Sequence, residues 1–186
     1  GNNVAIGTNS LKSNITGTPN IAIGSNSMVS NTTGNDNIAL GHNSLINNTT
    51  GINNVAIGSS ALATNTIGTD NVSIGYQSLK ANTTGVQNIA IGSSAMSSNT
   101  IGTDNIAIGS SALNTNTTGV QNIAIGTSAL RANVIGTNNV AIGFQSLLTN
   151  ITGNNVAIGT NSLKSNITGT PNIAIGSNSM VNNTTG

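Results

Sequence analysis

A string of the form Asn-Val/Ile-Ala-Ile-Gly returns along the whole chain, at Asn3–Gly7, Asn20–Gly24, Asn54–Gly58, Asn88–Gly92, Asn122–Gly126 and Asn172–Gly176. Cut before the preceding glycine, the sequence falls into eleven units. They start at Gly1, Gly17, Gly34, Gly51, Gly68, Gly85, Gly102, Gly119, Gly136, Gly153 and Gly169. Nine units have 17 residues; those at Gly1 and Gly153 have 16, each lacking one residue after the glycine. Numbered 1 to 17, every unit has Gly at positions 1 and 8 and Asn at positions 4 and 15, and Gly186 opens a twelfth, so all 23 glycines are in register. A fixed period this short excludes helical-hairpin repeats, which need about 33 residues or more. Two glycines per unit, each costing about 1 kcal/mol relative to Ala, also oppose helix.

The Asn-Val-Ala-Ile-Gly string alternates as a strand does, with positions 5 and 7 on one face and Ala on the other. A second short strand is expected through the Ser/Ala-Leu/Met segment. Its position-12 side chains, such as Leu11, Met28 and Leu45, are expected to point the same way as positions 5 and 7. One such coil cannot stand alone, because three or four aliphatic side chains do not offset the entropy of ordering its backbone. The expected fold is therefore an all-β parallel β-solenoid or β-roll of eleven coils, one continuous array over 1–186, with each coil pairing to the next at about 4.8 Å. A buried amide in every coil must be paired. The position-15 residues Asn14, Asn31, Asn48, Asn65, Asn82, Asn99, Asn116, Asn133, Asn150, Asn166 and Asn183 are the candidate structural ladder. Positions 1, 4–8, 12 and 15 read as scaffold, and positions 2, 3, 9, 13 and 14 as the solvent or partner face.

The variable positions collect the few reactive side chains. Lys12, Lys80, Arg131 and Lys164 share position 13, Asp36, Asp70 and Asp104 share position 3, and His42, Tyr76 and Phe144 share position 9. Tyr76, Phe144, His42, Lys80 and Arg131 are the candidate surface contacts. Four Lys/Arg against three Asp give a net charge of +1, too little for the cationic footprint of a nucleic-acid binder. Three Asp spaced two coils apart, one His and no Cys supply neither an acid–base pair nor a zinc site, so no catalytic, cofactor or metal residue is expected. No apolar run approaches the ~20 residues of a membrane span. Eleven Asn-x-Ser/Thr sequons occur, most of them by-products of the Asn-Thr-Thr consensus, with Asn71 at position 4 and overlapping ones at Asn47 and Asn182. Thr at positions 16 and 17 forms files that an ice- or carbohydrate-binding solenoid could use, interrupted by Ile67, Ile101 and Ile135.

Residues 153–186 reproduce 1–34 with one change, Ser30 against Asn182. This 152-residue super-repeat reads as a window of a longer tandem array.

The Asn-Val-Ala-Ile-Gly-x-x-Ser core resembles the head-domain repeat of trimeric autotransporter adhesins, and similar repeats occur in phage-tail-fibre-like surface proteins. Asn3–Ser10, Asn20–Ser27 and Asn37–Ser44 carry the resemblance, which runs through the whole chain, with Ala replacing Ser at Ala61, Ala95, Ala112 and Ala129. It implies a left-handed parallel β-roll in a parallel homotrimer at the cell surface, binding matrix or cells. The repeat here is longer than the family's. The extra residues fall in the Asn-Thr-Thr region, where a third side of the coil is expected. The expected function is an extracellular structural filament or adhesin shaft that partners itself, as a homo-oligomer or end to end. The alternatives are a binding module that recognises a receptor or glycan through the variable positions, and an ice-binding solenoid.

Overall fold

The computed structural model describes residues 1–186. It is all-β, with one short strand per unit and no helix. The strands are β1 (Val4–Ile6), β2 (Asn20–Ile23), β3 (Asn37–Leu40), β4 (Val55–Ile57), β5 (Val72–Ile74), β6 (Ile89–Ile91), β7 (Ile106–Ile108), β8 (Ile123–Ile125), β9 (Val140–Ile142), β10 (Val156–Ile158) and β11 (Ile173–Ile175). They stack in chain order as one 11-stranded parallel sheet. Like pairs with like: Ile106 lies against Ile123, Ala107 against Ala124 and Ile108 against Ile125. This is the β-solenoid that the repeat period predicts.

The strand's two faces are reversed from the sequence expectation. The alanines of position 6, Ala22, Ala39, Ala56, Ala90 and Ala107 among them, are fully buried and line the core. The Val and Ile side chains of positions 5 and 7 point outward, and Ile108 and Ile125 in mid-stack are 37% and 36% exposed. Position 12 points in with the alanines, and Leu45, Leu62, Leu79, Met96 and Leu113 have no exposed surface. The reason is the width of the coil. Where position 6 is Ser73, its hydroxyl reaches across the interior to donate to the Ser78 carbonyl at 2.8 Å. A gap that one hydroxyl bridges to Ser78 holds a methyl group and has no room for Ile.

The second side pairs between coils without being a strand. Leu113 N–H donates to the Ala129 carbonyl at 2.9 Å and Thr115 N–H to the Arg131 carbonyl at 3.1 Å. Extended geometry is broken at positions 10 and 12, where Ser111 and Leu113 have φ of 55° and 50°. A left-handed conformation at a bulky residue costs about 1–2 kcal/mol. Yet every Leu or Met of position 12 adopts it. Turning the chain there brings the one large side chain of the coil into its centre. A third side follows the Asn-Thr-Thr segment, where Thr83 N–H donates to the Thr100 carbonyl at 2.9 Å.

This core allows two opposite errors. Replacing Ala107 with Leu overfills it and is expected to cost about 1–3 kcal/mol. Replacing Leu113 with Ala empties it and is expected to cost about 2–5 kcal/mol. Chemical denaturation followed by far-UV circular dichroism measures both.

Candidate functional site

The polar machinery lies at the corner where one coil passes into the next, and it comprises two asparagine columns. In the position-15 column, Asn99 Nδ2 donates to Asn82 Oδ1 at 2.9 Å and Asn116 Nδ2 to Asn99 Oδ1 at 2.8 Å. The second hydrogen of the same amide goes to the position-1 glycine three residues on, as from Asn99 to the Gly102 carbonyl at 3.1 Å. The position-4 column follows the same rule. Asn88 Oδ1 accepts both the backbone N–H and the side-chain amide of Asn105, at 3.2 and 3.1 Å. Asn88 Nδ2 in turn donates to the Gly102 carbonyl at 2.8 Å. The position-1 carbonyls from Gly17 to Gly136 therefore each take two amides, one from each column.

The ladder expected at position 15 is thus present, and the position-4 column is its equal. Its signal was visible as the Asn at position 4 of every unit. Glycine is required at the corner by proximity. A Cβ on Gly17 would sit 2.6 Å from Asn14 Oδ1 and 2.7 Å from Asn31 Nδ2. At position 8, Gly58 has φ of +128° and faces the next glycine's carbonyl oxygen, 2.6 Å from where a Cβ would be.

The position-15 column breaks once. Asn150 donates to the Thr152 carbonyl at 2.7 Å and leaves Asn133 Oδ1 buried with no partner. Asn139 donates to that same carbonyl at 2.7 Å, so Thr152 holds the seat that glycine holds in the other coils.

The candidate surface residues lie outside this machinery. Tyr76 and Phe144 are 55% and 48% exposed, and His42, Lys80 and Arg131 are exposed too. His42 and Tyr76 are two coils apart and Tyr76 and Phe144 four, or about 10 and 19 Å along the stack, so they form no joint cluster. Arg131 edges a shallow depression with Thr115, Ala132, Leu148 and Thr149. Asp70 is held by its own corner, accepting from Asn53 Nδ2 at 2.9 Å and from the Thr69 hydroxyl at 3.2 Å. No three His, Cys, Asp or Glu side chains come together in metal-binding reach. Among the sequons, Asn31, Asn48, Asn71, Asn82, Asn116, Asn150 and Asn166 are buried in the two columns, and only Asn47 and Asn182 are exposed. The position-16 threonine hydroxyls are also committed, as in Thr83 Oγ1 donating to the Thr100 carbonyl at 3.1 Å and Thr100 Oγ1 to the Thr117 carbonyl at 3.0 Å.

The largest unpartnered feature is the outer face of the sheet. Eleven Val/Ile pairs at positions 5 and 7, with Leu40 the one leucine, form an unbroken aliphatic strip. At strand spacing it is about 50 Å long and about 10 Å wide, or roughly 500 Å². That is at the upper end of the apolar patches that monomers leave exposed, about 300–600 Å². No family model, curated protein or solved structure matches the chain.

The ladder predicts a specific sensitivity. Asn99→Ala removes one amide from a column and strands its buried partners, an expected loss of about 1–3 kcal/mol for each unsatisfied group. Asn99→Asp keeps the shape and buries a carboxylate that disfavours ionisation. Its folded pKa is raised, so its destabilisation is expected to be larger at pH 7 than at pH 4. Urea titrations at the two pH values measure the difference.

Proposed function

We propose that the chain is the shaft of an extracellular structural fibre, built from copies of itself. The observation that carries this reading is the aliphatic strip running the length of a ladder-bonded rod. Two such strips in contact would bury about 1,000 Å² in total, the lower bound for a specific interface. A second copy has the matching period, because both surfaces repeat at the strand spacing. In this reading the backbone and asparagine ladders supply axial stiffness, the strip joins rods side by side, and the chain has no enzymatic role. Its resemblance to trimeric autotransporter heads favours a parallel homotrimer at the cell surface.

Lysine placed on the strip separates assembly from folding. Ile89→Lys with Ile123→Lys is expected to leave the far-UV spectrum unchanged and to convert an oligomer to a monomer in sedimentation velocity. A wild-type chain that sediments as a monomer at high micromolar concentration would overturn the self-assembly reading.

A second reading, adhesion through the variable positions, is favoured by the exposed aromatic rings of Tyr76 and Phe144. Replacing both with Ser, together with Lys80→Gln and Arg131→Gln, is expected to abolish attachment to a cell or matrix surface while fibres persist, if the shaft is itself the adhesin.

A further inference from the structure

The two 16-residue units are the one irregularity in the repeat, and the structure shows where the missing residue is felt. From Asn133 to Asn139 the corner has six steps; from Asn150 to Asn155 it has five. On the strand side the shortening is absorbed without loss. Val140 pairs with Val156, and Asn155 N–H still reaches Asn139 Oδ1 at 3.1 Å. The second side holds as well, with Leu147 N–H on the Ser162 carbonyl at 3.0 Å. The loss is concentrated on the third side.

In the regular coils, the position-16 and position-17 N–H groups both donate to the position-16 carbonyl of the next coil. Thr100 and Ile101 do so to Thr117 at 3.0 and 3.2 Å, and Thr117 and Thr118 to Val134 at 2.9 and 3.3 Å. The series stops there. Val134 and Ile135 donate to no backbone group, and the side-chain column stops at the same place, at the unpaired Asn133 Oδ1. The threonine hydroxyl series ends at the same coil for a separate reason, since Val134 and Ile151 at position 16 have no hydroxyl to donate. The third-side backbone ladder and the amide column thus end at one seam. The side chains around it, Val134, Ile135 and Ile151, are exposed aliphatics.

We propose that the short corner 150–155 is a built-in opening joint, at which the stack parts between the eighth and ninth coils before it parts anywhere else. In a solenoid each coil contacts only its neighbours, so a weak interface divides the array into separately cooperative blocks. The strand side and the second side act as the hinge, and the third side opens. The joint is a property of the single chain and does not depend on the fibre reading.

Amide hydrogen exchange of the intact chain tests the joint directly. The segment 133–137 is expected to exchange about tenfold or more faster than the equivalent segments 99–103 and 116–120, because the inter-coil bonds that would protect it are missing. Inserting one Thr between Gly153 and Asn154 restores the Asn-x-x-Gly-x-x-Asn spacing. The insertion is expected to bring segment 133–137 down to the rate of its neighbours and to raise the melting temperature. Equal exchange in all three segments of the wild-type chain overturns the proposal, whether or not the insertion variant folds. Unequal exchange that the folded insertion variant leaves unchanged also overturns it, since the cause would then lie outside the short corner.

Discussion

The fold depends on one carbonyl per coil. At every regular corner the position-1 oxygen accepts two side-chain amides, and these are themselves bonded to the coil before, as with Asn88 and Asn99 on Gly102. Burying amides without partners is costly, and burying them in a complete network is not. Each coil supplies the partners that its neighbour lacks. Adding a coil therefore satisfies groups already present, and a coil alone leaves them open. The same arrangement forbids a side chain on that residue, since a Cβ would collide with the amides it organises. Glycine and the two asparagines are one device.

That device explains how so polar an interior is tolerated. The apolar core is thin: a column of Ala, a column of Ser or Ala and a column of Leu or Met. Its large aliphatic side chains, the Val and Ile of the strand, are on the outside. Much of the hydrophobic surface of this chain is consequently not used to close the coil. It remains available along a strip whose period is the coil spacing itself, which is why association of copies follows more naturally from the structure than binding of a small ligand.

The period, the parallel stacking and the position-15 ladder were legible because they depend only on spacing. A strict 17-residue repeat leaves few ways to stack. The direction of the strand was not legible. Alternation tells that Ala and Ile lie on opposite faces and is silent on which face is inside. Hydrophobicity favours Ile, and the width of the coil, bridged by the Ser73 hydroxyl, decides for Ala. The second strand was misread for a related reason. Leu is an ordinary strand residue, and nothing local announces that Leu113 will take a φ of 50°. The short unit at Gly153 was visible as a missing residue. That its cost falls on Val134, Ile135 and Asn133, two units earlier in the eighth coil, follows from stacking alone.

Every bond from one asparagine to the next within the two columns runs the same way. The amide of the later coil donates and the oxygen of the earlier coil accepts, from Asn31 on Asn14 to Asn183 on Asn166. The rod is therefore a vector. In these columns an exposed coil offers N–H groups toward lower residue numbers and oxygens toward higher ones, while the backbone bonds of the second and third sides run the opposite way, as from Leu113 N–H to the Ala129 carbonyl. Two rods can be joined end to end only in the same sense, donor face to acceptor face. A reversed rod would set like against like at both columns. Any assembly that extends this stack along its axis inherits a single direction, much as a helix inherits its dipole from peptides aligned head to tail.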